Sequence, residues 1–504
     1  MKTAGLKLAR AALAATLLAG GLCGGGLKVS AFAAGLPVAA SGKSAAPIRH
    51  VVEIMLENHT FDDLFGRLGG ADGIPAGTTF PSPTVPGARI GPLLAPPDQG
   101  SVGPNLDNTR PIEDQAMDRQ PNGVFKMDRY TVTPYEGLAS ITVFPPSVDP
   151  NLQFLGQHYA LAAANFQPEI APSTPNILAA LAGTSDGWYS NSEPPASDKF
   201  HSIFDQLQAA GRSWDIFFGF PPAYLQGTYW DSLVPAGHTN QLVTTGQFIA
   251  DAAAGTLPDF SFVRPGVGYS EESPEDTSPG DAWLGQLVLA LMKGPDWPTT
   301  AIFITYDEGG GFWDHVSPPQ VDPSGYGTRT PLVVISPYTP AERISQTTTN
   351  LSVLSFMQAL WHLSPLDSTN AHAPDLLNYF EFNQPPRAPQ LPPAAPPATL
   401  RLLVAGPTSA YYTAPLDQTF TVDMAAETPG LSADTALNGA VKLSVIGPNG
   451  TPAAKVPGAV KLQGGAGWFN ARLPADGYWR VKAVGPEHSL GWVTIGVGVN
   501  ANTP

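Results

Sequence analysis

Short apolar runs alternate with stretches of helical spacing along most of the chain. Residues 48–57, IRHVVEIMLE, read as a buried strand. The following NHTFDDLFG reads as a turn into a helix, with Thr60 as its N-cap and Asp62 and Asp63 in the first turn. Helical spacing recurs over 149–166, 171–183, 202–211, 281–294 and 351–363, and strand-like runs fall at 213–219, 299–308 and 330–338. This alternation predicts an α/β fold with a mainly parallel sheet. Residues 68–122, rich in Pro and Gly, read as a long surface excursion.

The pattern changes after residue 390. A proline-rich linker at 391–398 leads into short alternating stretches such as TFTVDMAA and GYWRVKAVG. Turn signals separate them closely, which predicts a small all-β sandwich or barrel over 399–504. The domains expected are then 46–390 and 399–504. Ahead of them, residues 1–34 read as a signal peptide: Lys2, Lys7 and Arg10, an apolar run from 11 to 22, and AFAA as a cleavage site. This places the protein in the bacterial periplasm or outside the cell, with no integral membrane segment after cleavage.

Composition narrows the class of partner. The net charge is −16, and losing residues 1–34 removes four basic groups and no acid. So acidic a chain is a poor binder of nucleic acid. Cys23 is the single cysteine, so disulfides and cysteine metal sites are excluded from the mature protein. The 54 prolines and 52 glycines occur among apolar residues throughout, which favours long ordered loops over disorder.

Three places put polar groups where a strand ends or a helix begins, where open α/β sheets bind ligands. Glu57 and Asn58 end the first strand; they are a turn, or a pair of hard oxygen ligands. Ser173, in PSTPN, opens a helix; it is a plain cap, or a nucleophile at an anion-binding helix start. Asp307 and Glu308 end the strand in ITYDEGGGFWDH, and adjacent acids repel unless a cation or proton lies between them. The glycines at 309–311 read as clearance for a ligand. Asp314 and His315 follow, and the histidine is structural or a proton donor. Together these residues offer five oxygen ligands and an activated hydroxyl, which suits displacement at a phosphate ester.

The motifs also carry a resemblance. VEIMLENHTFDDLFG resembles the ENrsFDhyFG opening of the bacterial phospholipase C and acid phosphatase family of phosphoesterases. APSTPNILAALAGTSDG, TTAIFITYDEGGGFWDHVSPP, YGTRTPLVVISPY and DLLNYFEFNQPPRAP resemble its later segments in order, so the likeness covers roughly residues 48–390. It implies an alkaline-phosphatase-like three-layer domain. It also implies one divalent metal ion (Ca²⁺, Mg²⁺, Zn²⁺ or Mn²⁺) held by Glu57, Asn58, Ser173, Asp307 and Glu308. Ser173 would form a phosphoserine, with His315 as acid and Arg329 orienting either loops or phosphate. The implied substrate is a phosphate monoester or a phospholipid. Three family histidines are missing: ahead of FKMDRY, within SEESPEDTSPGDAW, and at or near Asn350 in TNLSVL. The alternative is a catalytically weak or inactive binding protein of the cell envelope.

Overall fold

The computed structural model describes residues 46–497 except 98–99, 102–105, 135, 193–198, 220–227, 267, 274, 322–324, 394–398, 406–412, 428–432, 448–453 and 487–488. The expected signal peptide with Cys23, and most of the linker, lie outside the described residues.

Residues 50–344 build one eight-stranded sheet. Its strands are β1 (His50–Leu56), β2 (Ala160–Ala162), β3 (Trp214–Phe218), β4 (Leu242–Thr244), β5 (Phe260–Arg264), β6 (Thr300–Tyr306), β7 (Leu332–Ile335) and β8 (Arg343–Ile344). They lie in the order β8-β2-β7-β6-β1-β5-β3-β4. Only β7 runs against its neighbours, so the sheet is mainly parallel, as the alternation predicts. The central strands are buried on both faces. Val51, Met55, Phe260, Phe262, Ala301 and Phe303 pack into one cluster with residues of helices Ser173–Ala182, Ile203–Ala209 and Leu351–Trp361. Val52, Ile54, Leu56, Val263, Ile302 and Ile304 pack into the other with residues of helices Pro150–His158, Thr245–Ala254 and Thr277–Lys293. Helices on both faces of a sheet make three layers.

Two expectations need correction. The helix expected over 149–166 ends at His158, because Ala160–Ala162 is drawn into the sheet between β7 and β8. The excursion at 68–122 is not wholly superficial. Its helix Arg110–Ala116 helps form a small core with Phe80, Met117, Phe125 and Trp313, and Asp107, Asn108 and Glu113 are buried. The C-terminal strands make up the small all-β domain expected, linked along one curled hydrogen-bonded path. The end strands Ala459–Leu462 and Ala466–Arg472 meet through a bridge between Gln463 and Ala466. Val422, Phe469, Trp479 and Val481 fill its interior. Among the described residues no helix is long and apolar enough to cross a membrane.

Candidate active site

Parallel register assembles the site. β1 pairs with β6 from His50↔Thr300 to Leu56↔Tyr306, so Glu57-Asn58 and Asp307-Glu308 leave the sheet side by side. The Asp307 amide donates to the Leu56 carbonyl at 3.1 Å, and the Asn58 amide to Asp307 Oδ1 at 3.3 Å. Ser173 is the first residue of helix Ser173–Ala182, which Gly183 closes in the left-handed conformation. Its hydroxyl donates to Glu57 Oε2 at 3.0 Å. Hydrogen bonds thus join Ser173 to Glu57 and Asn58 to Asp307. Glu308 follows in the chain, its amide donating to Asp307 Oδ1 at 2.9 Å.

Asp307 and Glu308 are buried and Glu57 is half-buried, so their charges are costly. Burial pushes the Asp307 carboxyl well above the usual range; the charges of Glu57 and Glu308 add to this, and Arg264 opposes it. Glu308 is raised by burial and by Glu113, against hydrogen bonds from the Gly310 amide and from Asn108 Nδ2 at 2.6 Å. Asn58 Oδ1 and Asp307 Oδ2 are buried with no hydrogen-bond partner among the described residues. Unpartnered hard oxygens beside a serine hydroxyl fit a divalent cation.

Asn108 and Glu113 escape a sequence reading because they sit in a Pro- and Gly-rich stretch. A signal was present: Thr109 followed by Arg110-Pro111 and Glu113 is a helix start. Arg264 was also missed. Its guanidinium contacts Glu57 Oε1 and lies 3.5 Å from Asp307 Oδ2.

The glycines serve packing rather than ligand clearance. A Cβ on Gly310, whose φ is +62°, would come within 2.4 Å of Asn58, and one on Gly311 within 2.6 Å of Leu106. The loop must therefore press against Asn58 itself.

His315 and Arg329 belong to a separate knot. Arg329 Nε donates to Asp314 at 3.0 Å and Nη2 to Asp62 at 3.1 Å, while Nη1 donates to the carbonyls of Asp72 and Ala163. Fully buried and stacked over Phe61, it orients loops; of the two roles left open, that is the one its geometry favours. His315 Nδ1 is 2.7 Å from Asp62 Oδ2. Burial works to lower its pKa, but the hydrogen bond and charge of Asp62 hold it above the ordinary value. Asp62, Asp314 and His315 offer ligand atoms within 4.8 Å of one another, a grouping able to hold a cation. Arg329 hydrogen-bonds both acids of that grouping, whereas Asn58 Oδ1 and Asp307 Oδ2 keep buried oxygens with no hydrogen-bond partner among the described residues even with Arg264 beside them, and so fit a metal better.

Where family histidines are missing, neutral or internal groups stand. Asn350 donates to the Tyr306 carbonyl at 2.8 Å and accepts from Thr305 and Asn165, pinning the end of β6. Glu271 accepts from the Tyr306 hydroxyl at 2.6 Å, and the Ser270 carbonyl accepts from the Glu57 amide at 3.1 Å.

Residues 48–364 match the model of the Phosphoesterase family. A non-hemolytic phospholipase C of Burkholderia pseudomallei (strain K96243) is 25% identical over 68% of this chain and 61% of its own length. Phospholipase C B of Mycobacterium tuberculosis is 24% identical over 76% of this chain and 89% of its own. The chain thus spans about three fifths of the Burkholderia relative's length. A solved structure of a protein in the alkaline phosphatase superfamily from Vibrio parahaemolyticus aligns with a TM-score of 0.32 and 13% identity. That alignment covers 57% of this chain and 72% of the other.

Proposed function

The chain belongs to the Phosphoesterase family, and from that premise we propose that it is an exported, metal-dependent phosphoric ester hydrolase whose nucleophile is Ser173. The observation that carries this reading is the hydrogen bond from Ser173 Oγ to Glu57 Oε2, at a helix start facing two strand ends. Glu57, Asn58, Ser173, Asp307 and Glu308 would hold a divalent cation. When bound, it would lower the serine pKa and neutralise phosphoryl charge.

Glu57 orients the hydroxyl and draws on its proton. Ser173 Oγ then attacks phosphorus and the bond to the leaving alcohol breaks, giving a phosphoserine. At the helix start behind Ser173 the Thr174 amide is taken by Asn191 Oδ1 at 3.0 Å and Pro175 has none, so the helix would act on the phosphoryl oxygens through its dipole. A proton reaches the leaving oxygen from solvent, since His315 is held in the separate knot by Asp62, and water then hydrolyses the phosphoserine and returns the proton to Ser173. The phospholipase C names of the relatives make a phosphocholine diester the first substrate to test, beside a simple monoester.

A second reading, a binding protein with little or no turnover, is favoured by Arg264, which already neutralises Glu57. Release of p-nitrophenol from p-nitrophenyl phosphate and p-nitrophenyl phosphorylcholine, with Ca²⁺, Mg²⁺, Mn²⁺ or Zn²⁺, separates the two. The hydrolase reading expects cation-dependent release by the wild type that Ser173→Ala abolishes. No release with any of the four ions overturns it in favour of the binding protein, and equal release by Ser173→Ala overturns Ser173 as the nucleophile.

A further inference from the structure

β1 and β5 are parallel neighbours, and their register runs from Val51↔Phe260 to Ile54↔Val263. Continued by one residue, it sets Arg264 beside Met55. Side chains two apart on a strand share a face, and Val51, Met55, Phe260 and Phe262 all join the same core cluster. Arg264 therefore lies on the face that carries Glu53 and Glu57, midway between them. Each is two residues along β1, about 7 Å of strand.

The two acids are treated differently. Glu57 receives the Arg264 guanidinium, which also lies 3.5 Å from Asp307 Oδ2. Arg264 Nη1 donates to the Met55 carbonyl at 3.3 Å. Glu53 is 1% exposed, and neither of its oxygens has a hydrogen-bond partner among the described residues. A buried carboxyl without a partner costs stability, so its presence in the middle of a central strand asks for a reason.

The positive charge of Arg264 occupies the flank of Glu57 and Asp307 where a cation would bind. A dication arriving beside a guanidinium would meet strong repulsion in a low-dielectric site. We propose that Arg264 is a resident counter-ion of the Glu57–Asp307 pair, that a divalent cation must displace it, and that Glu53 receives the displaced guanidinium. This rests on the reading of Glu57 and Asp307 as cation ligands. It makes the site stable without metal and selective for conditions in which the cation is plentiful. Arg264 is here a positioning residue, acting through the ligands.

The test needs no substrate. The full chain is stripped with a chelator, and Mn²⁺ and Ca²⁺ are titrated by calorimetry and by their effect on Tm. Arg264→Gln is expected to bind at least about ten-fold tighter than wild type, because the competitor is gone, and to have a lower Tm without metal. Glu53→Gln is expected to bind more weakly than wild type, and to have no effect on cation affinity in the Arg264→Gln background. Arg264→Lys, which keeps the charge, is expected to stay close to wild type and serves if Arg264→Gln does not fold. In that case Arg264→Ala, refolded with Mn²⁺, supplies the charge-free comparison.

Equal or weaker binding by the charge-free variant overturns the proposal. An equal effect of Glu53→Gln in both backgrounds overturns the part assigned to Glu53. No cation binding by any variant overturns both this inference and the metal-dependent reading. The expected pattern of affinities without turnover would support the inference while the hydrolase reading fails.

Discussion

Leu56 and Tyr306 are paired in register at the ends of two parallel strands, and Asp307 donates its amide to the Leu56 carbonyl. That one pairing sets Glu57 against Asp307, although 250 residues separate them in the chain. Buried Asp307 beside half-buried Glu57 costs stability beyond what Arg264 offsets. Burial raises Asp307, and Glu57 adds to the effect. A raised acid stabilises the fold while it keeps its proton and loses that contribution as pH rises. Asp307→Asn should therefore raise the metal-free Tm at pH 8 by a few degrees while turnover falls about 100-fold or more. Calorimetric scans beside a turnover assay check this, and a lower Tm would contradict it.

The ends of β1 and β6 were legible because apolar runs stop on acids there. Glu57, Asn58, Asp307 and Glu308 are visible on that ground, and Ser173 from the proline that follows it at a helix start. The register that joins them was not legible, because parallel partners are set by the packing of the whole sheet. β5 was passed over because FSFVR is short and is followed at once by proline, and with it went Arg264. Asn108 and Glu113 were hidden by the composition around them. The glycines at 309–311 were legible as a special turn, but not as a surface pressed against Asn58. Hydrophobic spacing reports burial; it does not report which neighbour does the burying.

Stability without metal should depend on pH through acids that keep a proton in the fold. Burial pushes Glu53 up to about 8. It pushes Asp281 to about 7, although Asn151 and Leu152 donate to it, and Asp63 to about 6 although His59 opposes the rise. Each group is protonated in the fold at a pH where the unfolded chain has released the proton. Their stabilising contribution is complete below about pH 4 and is lost as pH rises through the folded-state values. The metal-free Tm should be highest in mild acid and decline up to about pH 8. Glu53→Gln should flatten the upper part of the decline. Tm measured across this range for wild type and variant decides it; a Tm that rises with pH would show that the carboxyls are ionised in the fold.

The knot around Arg329 predicts a different kind of loss. Its guanidinium is fully buried between Asp62 and Asp314, which are themselves buried. Arg329→Met leaves both acids without their cation, which should cost about 3–5 kcal/mol. Adding Asp314→Asn should recover part of that, since one of the uncompensated charges is then removed. Urea denaturation of the single and double variants measures both. If Arg329 instead bound substrate, Arg329→Met would lose turnover with little change in the urea midpoint.

The curled C-terminal sheet is tied to the loop that backs the site. Arg480 forms a buried ion pair with Asp276, whose other oxygen accepts from the Ser278 amide and caps helix Thr277–Lys293. The Tyr269 hydroxyl reaches Glu427 from the same loop. Between these two ties lie Ser270 and Glu271, which meet the Glu57 amide and the Tyr306 hydroxyl. The C-terminal sheet therefore restrains the backbone beside Glu57. Arg480→Met leaves Asp276 buried and uncompensated, and should cost about 3 kcal/mol or more. It should also speed hydrogen exchange at the amides of residues 268–276 while leaving the interior of β1 protected. Unchanged exchange across 268–276, with Tm lowered, would mean that the ion pair holds the domains together without bracing the site.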